Sequence, residues 1–343
     1  MRIVSLLASA TEIIYQLGCL DQLVGRSHEC DFPPQVRVLP VVSSVQVDIN
    51  TSSALIDEQI KQLAQNSFVS ENAALKALSI YAIDVEQLQA LQPDVIFTQT
   101  QCEVCAVSER DVTQAVQQLI GIQPRVISLA PHRLSDVWDD VLRVGQALGI
   151  PTRAESLVNG YKNRLAELHR LTSGFETRAR VAVLEWLDPL MGAGNWTPEL
   201  VAYAGGENIF GEIGLHSPWL SWEELRLADP DVLVLSPCGF SIERTKMDLP
   251  LLQQHPFWQS LQAVQTKRVY AIDGNQYLNR SGPRLVESAE LLGRAMWGEE
   301  IGIEVDANGW QQLIRDIATI PTNYLTQEGA ICKDVLLPFF RFR

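Results

Sequence analysis

No apolar run in this 343-residue sequence approaches the roughly 18 residues of a membrane-spanning helix, so no membrane span is expected. Cations are scarce: 27 Lys and Arg stand against 41 Asp and Glu, a formal net charge of −14, and they form no basic stripe. Without clustered cations to neutralise phosphates, a general nucleic-acid binder is not expected. Low-complexity tracts and long like-charge runs are missing, which argues against extended disorder. Cysteines number six, too few for a disulfide framework in a chain of this length. Nucleophile-elbow, phosphate-loop and zinc-protease motifs are also missing, so nothing in the sequence points to a hydrolytic enzyme, and an enzyme is the less expected reading.

What is present suits a folded protein of two domains: 46% hydrophobic residues against 20% charged. The opening MRIVSLLASATEIIYQLG resembles a leader superficially, but Ser9, Thr11 and Glu12 interrupt its apolar run. It reads better as a strand over 2–7 and a capped helix from about Thr11. A cytoplasmic protein is therefore expected, with a periplasmic one requiring removal of a leader.

Apolar strand-like runs at 2–7, 23–27, 38–42, 95–98, 126–129, 181–186, 232–236 and 269–272 alternate with helical patterns such as 54–64, 107–119 and 284–297. This alternation predicts an α/β fold with two Rossmann-like lobes and mainly parallel sheets. Between them, Val137, Val141, Val144 and Leu148, then Leu157, Tyr161, Leu165 and Leu168, keep helical spacing on either side of Pro151. The expected division is an N-terminal lobe over 1–130, a helical connector over 131–174, a C-terminal lobe over 175–298 and a helical extension over 299–343, with helix at 309–320.

The lobes echo each other. DVEQLQALQPDVIFTQTQC (84–102) aligns with SWEELRLADPDVLVLSPCG (221–239) at a constant offset of 137, matching Pro93-Asp94 with Pro230-Asp231. Thr11-Glu12 to Gly18 likewise resembles Pro198-Glu199 to Gly205. Cys102 and Cys238 fall one position apart in the first alignment, each just beyond an equivalent strand. In open α/β sheets ligands bind outside those strand ends, so the two thiols are expected to face one cleft between the lobes.

Candidate site residues gather in loops at such ends. SHECD supplies His28 and Cys30, good ligands for zinc, copper or iron, and imidazole can also coordinate cobalt. TQTQCEVCAVSERD supplies Cys102 and Cys105, whose spacing fits a redox pair, half of a zinc or iron-sulfur site, or two buried thiols. A metal set would combine His28, Cys30, Cys102, Cys105 and Cys238. LEWLDPLMGAGNW offers Glu185, Trp186, Asn195 and Trp196 as aromatic walls and polar contacts for a large planar ligand. DGNQYLNRSGPR offers Tyr277, Arg280 and Arg284, with guanidinium forks suited to carboxylates, amides or phosphate.

These blocks, with RIVSLLASATEI, VGRSHECDFPP and RVYAIDGNQYLNRSGPRLVESAELL, resemble the periplasmic-type substrate-binding proteins of cobalamin and iron-chelate ABC importers, over residues 1 to about 298. The resemblance is strongest to their cobalamin-binding subgroup. It implies two α/β lobes joined by a long rigid helix, a corrinoid or metal chelate held between them, little hinge motion, and an ABC transporter permease as partner if the protein is exported. It also implies walls at Trp186 and Trp196 and an amide-binding rim at Arg280 or Arg284. The other readings left open are a zinc or iron-sulfur protein using the Cys/His set, and a thiol oxidoreductase using Cys102 and Cys105.

Overall fold

The computed structural model describes residues 1–44, 48, 51–66, 82–99 and 123–314. Among these, the N-terminal part contains β1 (Ile3–Ser5), α1 (Ala8–Gln16), β2 (Leu23–Arg26), β3 (Ser43–Ser44), α2 (Ser53–Asn66), β4 (Ala82–Ile83), α3 (Val85–Leu91), β5 (Val95–Gln99) and β6 (Arg125–Leu129). Two helices, α4 (Leu134–Ala147) and α5 (Pro151–Thr172), lead into the C-terminal part. There β7 (Arg180–Leu187), β8 (Leu190–Gly192), α6 (Thr197–Tyr203), β9 (Glu207–Asn208), α7 (Trp222–Ala228), β10 (Val232–Leu235), α8 (Ile242–Gln253), α9 (Gln262–Gln265), β11 (Val269–Ile272), α10 (Leu285–Trp297) and β12 (Trp310–Gln312) follow.

Both sheets are built from apolar strands buried along their length, as at β1 and β10, the pattern of parallel sheets covered on both faces. The first sheet has the order β2-β1-β5-β6, all parallel. In the second, β9-β7-β10-β11 repeats that order in parallel, and antiparallel β8 and β12 extend it.

The repeat read in the sequence is therefore a structural duplication, and its Pro-Asp turns have a physical purpose. Asp94 accepts the backbone N–H of Arg2 at 2.7 Å, and Asp231 accepts that of Arg180 at 2.8 Å, so each carboxylate aligns the start of its lobe's central strand. The preceding helices are capped alike, by Asp84 and Ser221, and both stop at a left-handed residue, Gln92 at φ 44° and Asp229 at φ 42°.

The connector is two helices. Gly149, at φ +76°, ends one turn and Pro151 opens the next, which breaks the run of helical spacing into a packed pair. Gly145 is where they press closest: a Cβ there would stand 2.3 Å from that of Ala154. One apolar core runs without interruption from Ile3 and Phe97 through Trp138, Tyr161 and Leu165 to Val183 and Leu285. A shared core of that kind resists the relative motion that separate domains ordinarily show.

Three local expectations differ from the structure. Helix α1 begins at Ala8 rather than near Thr11, without a side-chain cap, and buries Ser9, Thr11 and Glu12. The run 38–42 is no strand: Pro34–Val38 forms a 3-10 turn, and only Val41 bridges to Arg26, Pro40 having no N–H to extend a ladder. Residues 310–312, expected in a helix, form edge strand β12 instead, where Trp310 approaches Tyr270 with ring centroids 5.7 Å apart. Among the described residues no helix is long and apolar enough to cross a membrane.

Candidate binding cleft between the lobes

Glu185 and Trp186 end β7, and Ser236 to Phe240 follow β10, so the carboxyl edges of two neighbouring strands present them together. The backbone N–H of Cys238 donates to the Glu185 carbonyl at 3.0 Å, and the Trp186 and Phe240 rings meet at 5.2 Å. One Glu185 carboxylate oxygen accepts from Ser217 Oγ at 2.8 Å. Burial pushes the Glu185 carboxyl above its usual range, against the hydrogen bond from Ser217 and the charge of His216.

Cys238 is open to solvent, yet surrounding protein, and then the charges of Glu185 and Glu29, push its thiol up to about 12. The loop after β2 meets the C-terminal lobe here: the Glu29 carbonyl accepts from Arg280 at 3.4 Å and the Asp31 carboxylate accepts from Asn275 at 3.1 Å. In that loop His28 pairs through Nδ1 with Ser43 Oγ at 2.8 Å, and burial holds its pKa below the ordinary value.

Several expected ligand contacts occupy structural positions. Arg280 Nη1 donates to Glu12 at 2.9 Å and to Asp31 at 2.8 Å, and its other terminal nitrogen reaches Asn275. Arg284 grips both oxygens of Glu12, with Nε at 2.9 Å, while its guanidinium lies 4.3 Å from the Phe32 ring. Glu12, Arg280 and Arg284 are all buried, so the forks tie the lobes together instead of forming an open rim. Burial acts to raise the Asp31 carboxyl, but the charge and hydrogen bond of Arg280, with Asn275, outweigh it and hold it below the usual range. Trp196 sits in the shared core and donates to the Leu278 carbonyl at 2.8 Å, and Tyr277 donates to Asp306 at 2.7 Å. Asn195 takes a left-handed turn at φ 51° and is bonded to Leu215 and Gly214 through its backbone. Of the two tryptophans expected as walls, Trp186 alone stands at these strand ends, packed against Phe240 and Ile56.

Cys30 lies inside the N-terminal core, where Thr11 Oγ1 donates to its sulfur at 3.0 Å and burial raises its pKa. Cys102 and Cys105 lie outside the described residues. Among the described residues no group of three or more His, Cys, Asp or Glu is arranged to hold a metal ion.

Glu12, Asp31 and Ile56 were missed from the sequence. A carboxylate among Ala10, Ile13 and Ile14 was the one visible signal, since a charge on an apolar helix face is rarely buried unpaired. The duplication extends to it: Glu199, its counterpart on α6, accepts the backbone N–H of Leu134 at 2.8 Å and so secures the start of α4. Each lobe thus sends a glutamate from the equivalent helix to an element outside its own sheet.

A family model described as periplasmic binding protein matches residues 3–276. The chain belongs to that family. Among relatives of this periplasmic binding protein, the vitamin B12-binding protein of Pectobacterium atrosepticum is 22% identical over 297 residues, covering 85% of this chain and 86% of that one. The periplasmic vitamin B12 binding protein BtuF of Vibrio cholerae superposes with a TM-score of 0.58 at 22% identity, covering 86% of this chain and 96% of the other. The periplasmic heme-binding protein RhuT of Roseiflexus sp. RS-1, in apo form, gives 0.61 at 23% identity, covering 87% and 98%. These likenesses show the fold: two α/β lobes with a helical connector.

Proposed function

We propose that this periplasmic binding protein takes a cobalamin-like corrinoid into the interlobe cleft without chemical change and delivers it to an ABC importer. The observation that carries the choice of ligand is that Arg280 and Arg284, the cations nearest the cleft loops, are buried and neutralised by Glu12 and Asp31. Haem brings two carboxylates that favour free cations, whereas a corrinoid brings neutral amides and a cationic cobalt centre. Cys238 and Glu185, joined through their backbones at the ends of β10 and β7, present an un-ionised thiol and a carboxyl with no free cation, which suits the second. Trp186 and Phe240 supply aromatic surface for a broad ring system. Two buried donors at these strand ends, Trp186 Nε1 and Ser236 Oγ, have no hydrogen-bond partner among the described residues and match the carbonyls of ligand amides.

The zinc and iron-sulfur readings drew on His28, Cys30, Cys102, Cys105 and Cys238 together, and the core position of Cys30 weakens that set; the redox reading used Cys102 and Cys105, which lie outside the described residues. The test is a paired titration of the purified protein with hydroxocobalamin and with haemin, followed in the visible spectrum. Tighter binding of hydroxocobalamin is expected, weakened by Glu185→Gln or Trp186→Ala. Tighter binding of haemin, or of neither, refutes the ligand. Delivery to an importer operates outside the cytoplasmic membrane, whereas the sequence alone led to a cytoplasmic expectation. Fractionation of the native cell with immunoblotting distinguishes the two.

A further inference from the structure

The aromatic floor is covered. Helix α2, from the N-terminal lobe, crosses to the C-terminal lobe and packs on β7, with Ile56 seated against Trp186 and Phe240. Ile56 is 4% exposed and Trp186 8% exposed, so no planar ligand can stack on that surface while α2 is down.

A polar clasp holds the helix there. Arg244 donates to the Thr51 carbonyl and pairs with Asp248 at 2.9 Å, while Asp248 accepts the backbone N–H of Ser53 at 3.3 Å. Phe240 lies 4.2 Å from the Arg244 guanidinium, so the clasp and the aromatic floor form one unit. Further along the helix, Lys61 stands 5.5 Å from the centre of the exposed Trp219 ring. Before and after α2 in the chain, short strands β3 and β4 pair antiparallel through Ser43–Ile83 and Ser44–Ala82.

The covered state is also imperfect. The Trp186 indole N–H is buried and has no acceptor among the described residues. A ligand that presents a carbonyl to Trp186 and an apolar face to Phe240 would supply what Ile56 lacks.

We infer that α2 is a displaceable strap: it covers the Trp186 and Phe240 surface, and its clasp by Arg244 and Asp248 sets how fast ligand enters. The inference about ligand entry rests on the proposed function of the cleft. The strap itself does not. Asp248→Ala weakens the clasp and Ile56→Ala weakens the cover, each without adding bulk.

Hydrogen exchange read by mass spectrometry on the full chain, without ligand, is expected to show residues 53–66 exchanging about tenfold faster in both variants, with β10 unchanged. Stopped-flow mixing with hydroxocobalamin is expected to show association about tenfold faster than for the wild type. Unchanged exchange over 53–66 in both variants overturns the strap, and so does an unchanged association rate in proteins that bind. If neither the wild type nor the variants bind hydroxocobalamin or haemin while exchange over 53–66 rises, the strap stands and the ligand assignment alone falls.

Discussion

Replacing Glu12 by Gln preserves the shape of the side chain and removes the charge that two guanidinium groups share. The loss is unequal between them. Arg280 keeps Asp31 at 2.8 Å and Asn275 at 3.0 Å, whereas Arg284 retains only Gln276 at 3.1 Å and its stacking on Phe32 and Tyr277. Glu12 is 1% exposed and Arg284 8%, so water cannot readily replace the lost partner. Breaking a buried pair in this way costs about 3–5 kcal/mol. At roughly 2 °C per kcal/mol for a chain of this size, Tm is expected to fall by about 6–10 °C. Differential scanning calorimetry at neutral pH measures that fall. The double variant Glu12→Gln with Arg284→Met restores the balance, because Asp31 still neutralises Arg280. It is expected to recover about 1–3 kcal/mol relative to the sum of the single losses. A single-variant loss below about 1 kcal/mol, or strict additivity, would falsify the assignment of this cluster as the fastening between the lobes.

Three further expectations follow from particular groups. Cys238 is solvent-exposed but its thiol is pushed up to about 12, so at pH 8 iodoacetamide should alkylate it at least about 100-fold more slowly than glutathione, with Glu185→Gln faster than wild type; peptide mass spectrometry reading a glutathione-like rate contradicts this. Burial raises the Asp140 carboxyl to about 7, and one of its oxygens has no partner. With its folded value above the unfolded one, the contribution is intact below about pH 4 and lost as pH rises to about 7. Asp140→Asn should therefore remove that part of the pH dependence and raise stability at pH 8, and equal urea midpoints for the two proteins at pH 8 would count against it. Gly145→Ala places a methyl group against Ala154 and should cost about 1–3 kcal/mol in urea denaturation, and a neutral result would mean that α4 and α5 separate easily.

The α/β alternation and the duplication were legible because their signals are local. Val and Ile runs mark strands, and the Pro-Asp turn recurs because each aspartate fastens the strand beside it. The site was legible only in part. LEWLDPLMGAGNW contains two tryptophans of similar promise, and the fold sends Trp186 to the cleft while Trp196 is bonded to Leu278, 82 residues away. Arg280 and Arg284 read as ligand contacts because their acidic partners come from the far end of the chain, beyond the reach of spacing or periodicity. Edge strand β12 was invisible for the same reason: Trp310–Gln312 becomes extended by joining β11, against its local pattern. Ile56 could not be assigned at all, since nothing around it in the sequence marks a residue that crosses to the other lobe.

The uninterrupted core from Ile3 to Leu285 bears on how an importer would tell a full protein from an empty one. Two plates glued through a common interior offer little change of angle to be sensed from outside. Under the proposed function and the inferred strap, recognition of cargo depends on what shows at the seam: a ligand edge, or the altered position of the helix that crosses it. The molecule would behave less like a closing jaw than like a socket whose cover reports that it is filled.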